Sequence, residues 1–161
     1  MTGSTAALAY PPHVTLRTGA LVPERNVAEF AAGMAQTLGK WRAFPVRTDG
    51  LFSTTYQAQD GTPRYIVGWR VVPDACLAGL HRRLLSYERF MRRAQPAFEP
   101  HVTLAFEDLA EEQVDPLLRH ATDRPRVYPP RLEWPCTSVG LYWLRDGGWE
   151  CAYRFLAEEV Q

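Results

Sequence analysis

The pentapeptide Pro12-His13-Val14-Thr15-Leu16 recurs letter for letter as Pro100-His101-Val102-Thr103-Leu104. Histidine is scarce in the chain, with 4 in 161 residues, and two of those 4 lie in these copies. Val, Thr and Leu favour strands, and proline suits a strand's first residue but not the middle of a sheet. The pattern therefore predicts two β-strands, one over about 12–18 and one over about 98–106. Residues i and i+2 of a strand share a face. His13 and Thr15 then point one way and Val14 and Leu16 the other, and the second copy repeats the arrangement. The apolar pair faces a core, and the polar pair faces something else.

Working outward from the copies, Val27, Phe30, Ala31, Met34 and Leu38 recur at helical spacing, so a helix is expected over 24–38, ended by Gly39. Short strands are expected at 43–48 and 51–58, with a turn at Asp60-Gly61. Tyr65, Val67, Trp69 and Val71 alternate along a strand over 65–72. Pro73 opens a linking helix to about 93, with Leu77, Leu80, Leu84, Leu85 and Met91 on its stripe. Beyond the second copy a helix is expected over 111–121. Strands follow at 126–133, 137–145 and 149–156, with a turn at Asp146-Gly147-Gly148.

Tyr56-x-x-x-Asp60-Gly61 also has a counterpart, Tyr142-x-x-x-Asp146-Gly147, and its offset agrees with that of the motif histidines to within two residues. A constant offset indicates internal duplication. Each half reads β-α-β-β-β. The expected organisation is α+β: one domain over 1–161, with lobe 1 at about 11–72, the linking helix at about 73–93 and lobe 2 at about 97–157.

Composition narrows the function. Lys+Arg and Asp+Glu both number 18, a balance without the basic surplus of a long-polyanion binder. A small or terminal phosphate suits the chain better. Cys76, Cys136 and Cys151 are odd in number, widely spaced and without C-x-x-C, which argues against a disulfide framework or a zinc site. A reducing cytoplasm is the expected compartment. The N-terminal residues lack a signal-peptide pattern, and no apolar run has the length of a membrane span.

Two His/Thr pairs can do specific chemistry. Cα atoms at i and i+2 are roughly 6–7 Å apart, so both side chains can converge on one group. Imidazole takes or gives a proton near neutrality, and hydroxyls donate to anionic oxygens. The centre best served is a phosphodiester attacked in line. One histidine deprotonates water, the other protonates the leaving oxygen, and the threonines hold the non-bridging oxygens. Two rival readings stand beside this one: two structural histidines kept by duplication, or a metal site in which Glu99 or Glu107 joins the pair. His81 and His120 fall on predicted helices and read as structural. No Walker or G-x-G-x-x-G loop is present.

The paired His-x-Thr motifs, above all Phe98-Glu99-Pro100-His101-Val102-Thr103-Leu104-Ala105-Phe106, resemble the two-histidine phosphoesterase superfamily, which includes RNA 2',3'-cyclic phosphodiesterases, or 2'-5' RNA ligases. The resemblance implies a bilobal pseudo-two-fold fold in which antiparallel sheets line a central cleft with helices outside. It further implies a catalytic quartet of His13, Thr15, His101 and Thr103, with no metal and no cofactor. The expected partner is an RNA 3' end or small nucleotide carrying a cyclic phosphate, and the expected state a monomer. In RNA-acting members the ring opens to a 2'-phosphate, with the second-motif histidine activating water and the first-motif histidine acting as acid. The pseudo-symmetry of the sequence does not itself distinguish the two. An extra strand and helix that often precede the first motif are missing or reduced here.

Four residues are candidates for further substrate contacts, each beside a structural reading. Arg17 shares the face of His13 and Thr15. Tyr56 and Tyr142 are duplicated aromatics that pack in a core or hairpin or stack on a base. Phe106 aligns with a base-contacting aromatic of some relatives; strict alternation turns it into the core with Val102 and Leu104, and only a bulge at the strand end would turn it out. The alternative function is an inactive member that binds RNA ends or nucleotides without cutting them.

Overall fold

The computed structural model describes residues 6–9, 11–18, 20–58, 60–85, 97–106, 108–145 and 148–158. The element order is α1 (Val27–Leu38), β1 (Phe44–Gln57), β2 (Pro63–Val71), α2 (Ala75–Leu85), β3 (His101–Phe106), α3 (Glu111–Thr122), β4 (Glu133–Cys136), β5 (Ser138–Arg145) and β6 (Gly148–Leu156). Short 3-10 turns lie at Ala6–Ala9 and Glu24–Asn26. The chain is α+β with antiparallel pairing: β3-β2-β1-β4 form one sheet, and β5 and β6 a hairpin of their own. Contacts divide the described residues into two compact units. One comprises those within Met1–Val14, Arg47–Val72 and Pro100–Glu133. The other comprises those within Thr15–Val46, Pro73–Glu99 and Trp134–Gln161.

In the first unit α3 packs on one face of the sheet. Val67, Ala105, Leu109 and Val114 are buried together, with Tyr65, Leu117 and Leu118 against them. The α3 N-terminus is tied by the Ala110 N–H, which donates to Gln113 Oε1 at 2.8 Å, satisfying one of the donors that a helix start leaves open. The stretches expected as strands at 43–48 and 51–58 are one strand, β1, with its register shifted between Thr48 and Leu51, where Gly50 takes φ 91°. An irregularity in one strand replaces a turn between two.

The strand expected over 126–133 is instead turn and irregular chain, and β4 begins only at Glu133. Pro125, Pro129 and Pro130 lack the N–H that a ladder needs. The segment still follows β1 by other bonds. Thr48 N–H donates to Leu132 O at 2.9 Å, Gly50 N–H donates to Pro130 O at 2.8 Å, and the Thr48 hydroxyl accepts from Leu132 N–H at 2.7 Å.

In the second unit α1 buries Val27, Phe30, Ala31, Met34 and Leu38, the expected stripe, and ends at Gly39 with φ 58°. Arg83 on α2 donates to the carbonyls of Leu38 and Lys40, satisfying acceptors at the end of α1 with a cation that its dipole favours. α2 starts two residues after Pro73, where Asp74 Oδ1 accepts from Leu77 N–H at 2.8 Å as an N-cap. Its buried side chains are Leu77, Leu80, His81 and Leu84. After β6 the chain runs beside the start of β1, with Glu158 N–H donating to Trp41 O at 2.9 Å. Met91, Arg92, Arg93, the end of the linking helix and the Asp146-Gly147 turn lie outside the described residues. No described helix is long and apolar enough to cross a membrane.

The first motif departs from expectation. Residues 12–18 have no strand conformation, whereas the second copy is the core of β3. Pro11 and Pro12 remove two successive donors from the approach to the first copy. The halves accordingly read α-β-β and β-α-β-β-β, and the repeat in sequence is not matched by a repeat of elements.

Candidate active site

The second motif enters β3 through Pro100, whose carbonyl accepts from Val71 N–H at 2.9 Å. From there β3 pairs with β2, placing His101 opposite Arg70, Val102 opposite Trp69 and Thr103 opposite Gly68. Between the Thr103–Gly68 and Ala105–Val67 pairs the register shifts, so Leu104 is an extra residue on β3. The bulge changes which side chains share a face. Ala105 is buried among the residues packed with α3, and Val102, opposite Trp69, is buried on the same face. Phe106 then falls on the same face as His101 and Thr103, which corrects the alternation that placed it in the core. There its ring stacks on Tyr56, with centroids 5.9 Å apart and planes 18° from parallel.

Register with β1 extends this face. Phe52 pairs with Gly68, Thr54 with Ile66 and Tyr56 with Arg64. Hence His101, Thr103, Phe106, Arg70, Phe52 and Tyr56 occupy one side of the sheet, opposite α3. His101 and Thr103 are half-buried. The His101 ring meets Phe52 edge to face at 5.6 Å, and the guanidinium of Arg70 lies 5.5 Å from the centroid of the same Phe52 ring.

Gly68 makes the pairing possible. A Cβ there would stand 2.3 Å from Val102 O and 3.3 Å from the Thr103 Cα. Sequence reasoning missed Gly68, Arg70 and Phe52. Gly68 did carry a signal, since a glycine inside a strand run marks a close backbone approach. Arg70 alternates against Val67, Trp69 and Val71, which places it on the other face.

His13 belongs to the same unit and is exposed. Its Nδ1 lies 2.9 Å from Pro11 O. A carbonyl only accepts, so Nδ1–H is the donor in this contact. Thr15 and Arg17 fall in the second unit. Thr15 is exposed, while Arg17 is half-buried, with Nε and Nη1 enclosed and without a hydrogen-bond partner among the described residues. Tyr142 is half-buried on β5 of the second unit, in register with Cys151.

His81 has a definite structural role. It is 7% exposed, its Nδ1–H donates to Leu16 O at 2.7 Å, and its ring stacks on Phe98 at 4.0 Å and 9°. Leu16 closes the first pentapeptide and Phe98 precedes the second by two residues, so one imidazole braces the end of the first copy and the approach to the second. His120 accepts from Arg124 Nη1 at 2.8 Å, an ordinary helix-end contact. Glu99 is exposed, and Glu107 lies outside the described residues. Among the described residues no three His, Cys, Asp or Glu side chains are grouped to hold a metal ion.

An antiparallel α+β frame carrying His-x-Thr on a bulged strand agrees with the fold expected of the two-histidine phosphoesterases. The model of the 2'-5' RNA ligase superfamily matches residues 2–148, and the chain belongs to that family. Among solved structures it is similar to the crystal structure of TT0787 of Thermus thermophilus, with a TM-score of 0.57 and 22% identity over 92% of this chain and 80% of that one. No curated protein matches the sequence significantly.

Proposed function

We propose that this protein is a metal-independent phosphodiesterase that opens 2',3'-cyclic phosphates, at RNA 3' ends or on small nucleotides, to the 2'-phosphate. The observation that carries the reading is the pair of intact His-x-Thr motifs in a chain of this family. Water attacks phosphorus in line and the P–O3' bond breaks. One histidine takes the proton of the water, and the other gives its proton to O3'. His101 is assigned to the water and His13 to the leaving oxygen, by likeness to the RNA-acting members. Thr15 and Thr103 donate to the non-bridging oxygens, a charge-assisted bond that strengthens as the oxygens gain charge.

Supporting contacts are assigned to Tyr56 and Phe106, whose stacked rings share the His101 face. Arg17 is assigned to an anionic oxygen, because enclosed guanidinium nitrogens without a partner are costly until a ligand supplies one. Tyr142 is assigned to the outer substrate. The balanced net charge supports a short substrate, and the odd, widely spaced cysteines support a reducing cytoplasm; a monomer is assigned.

The test is turnover of a mononucleotide 2',3'-cyclic phosphate and of an oligonucleotide ending in one, each with and without a chelator. Conversion to the 2'-phosphate unaffected by chelator is expected. Activity lost to the chelator and restored by one divalent metal refutes the metal-free mechanism. Binding of both substrates without turnover marks the chain as a binding module instead.

A further inference from the structure

The quartet proposed above contains two imidazoles and two hydroxyls but no fixed positive charge. A cyclic phosphodiester arrives as an anion, and in-line attack concentrates further charge on its non-bridging oxygens. Arg17, already assigned to an anionic oxygen, belongs to the second unit, so a permanent cation on the His101 face is the electrostatic component still to be placed. The second-motif face carries two arginines, Arg64 and Arg70. Arg64 Nη2 lies 3.7 Å from Asp60 Oδ2 and is already engaged by a carboxylate. Arg70 is exposed and makes no ion pair among the described residues.

Its placement is specific. Arg70 is the direct cross-strand partner of His101, and such partners have Cβ atoms about 4.5–5.5 Å apart on the same face. The guanidinium lies over Phe52, whose own ring abuts His101 edge-on. One buried aromatic thus supports both the imidazole and the cation. A guanidinium on an aromatic face loses less freedom on binding and keeps its N–H fork for an oxyanion.

We propose that Arg70 is a phosphate-binding residue of this site, holding a non-bridging oxygen of the phosphate on which His101 acts. The inference rests on the proposed phosphodiesterase reading and adds to it a charged group on the His101 face, besides Arg17. Arg70 donates to the bound anion in the ground state and more strongly as charge develops, so its loss lowers kcat as well as raising KM.

The experiment compares wild type, R70K and R70M on a nucleoside 2',3'-cyclic monophosphate. Calorimetric titration with the corresponding nucleoside 2'-monophosphate and with the unphosphorylated nucleoside accompanies it. R70M keeps the aliphatic stem over Phe52 and removes the charge. A drop of about 10- to 100-fold in kcat/KM is expected for R70M, in line with loss of a hydrogen bond to a charged group. Its affinity for the 2'-monophosphate should fall similarly and its nucleoside affinity should not change. R70K should recover part of both losses at an unchanged melting temperature.

Wild-type kcat/KM and product affinity in R70M overturn the proposal. So do equal losses in R70K and R70M accompanied by a lowered melting temperature, which would make Arg70 a packing residue. Wild-type protein that turns over no cyclic phosphate but loses 2'-monophosphate binding in R70M refutes the hydrolase reading and upholds Arg70. Wild-type protein that neither turns over nor binds these phosphates refutes both.

Discussion

Gly68 and Thr103 face each other across the β2–β3 ladder so closely that a methyl group on Gly68 would stand 2.3 Å from Val102 O. The glycine lets β3 carry its motif flush against β2, at the step before the Leu104 bulge. Gly68→Ala must displace backbone, since the obstructing atom belongs to no side chain. The expected cost is about 1–3 kcal/mol, the range of an overpacked site. On α2, a methyl group added to Gly79 would meet nothing within 4 Å, so Gly79→Ala serves as control and should be neutral or stabilising by up to about 1 kcal/mol. Chemical denaturation measures both, and equal stability of the two variants would contradict the close approach.

Under the proposed mechanism His13→Ala and His101→Ala each lower turnover by roughly 10²-fold or more. The double variant loses much less than the product of the two, because groups acting as a unit are non-additive. The wild-type rate should rise and then fall with pH, its limbs reporting a coupled pair. Each single variant should lose a different limb. Near-wild-type turnover in either one returns that motif to a structural role.

Thr15→Ala and Thr103→Ala remove a donor to the phosphate without charge change. A hydrogen bond to a charged group is worth roughly 1.5–3 kcal/mol, so a fall of about 10- to 100-fold in kcat/KM is expected for each. Thermal melts establish that both variants fold. Unchanged rates in both would show that the hydroxyls hold nothing in the reaction.

Burial pushes the thiol of Cys136 up from its ordinary value, and the nearby Asp74 adds to the effect, while its bond to Ser138 O opposes it. Cys76 and Cys151 are exposed. Alkylation of the native protein at mildly alkaline pH, followed by mass spectrometry, should modify Cys76 and Cys151 well before Cys136, since the thiolate is the reacting form. The sign carries over to stability. The folded Cys136 holds its proton to higher pH than the unfolded one, so its favourable contribution is present below the unfolded value and is lost as pH rises through the folded one. Cys136→Ser should flatten that part of the stability–pH curve, and alkylation of Cys136 as fast as Cys151 would contradict its enclosure.

Much of this molecule was written locally. The stripe Val27, Phe30, Ala31, Met34 and Leu38 specified α1, and the alternation Tyr65, Val67, Trp69 and Val71 specified the α3-facing side of β2. The His-x-Thr repeat also named the candidate chemistry before any fold was known. What the tertiary structure alone decided is clearest in the repeat itself. Identical pentapeptides form a strand at 101–106 and none at 12–16, because ladder hydrogen bonds need a partner that lies elsewhere in the chain. The second copy meets β2, whose Gly68 admits close approach, while the first, which like the second begins with a proline, is preceded by another, Pro11, where the second has Glu99. The bulge at Leu104 is equally non-local. It appears only when β3 is laid against β2, and it moves Phe106 from the core side to the side of His101. Arg70 becomes the neighbour of His101 by the same register, across a distance in sequence that no local pattern spans.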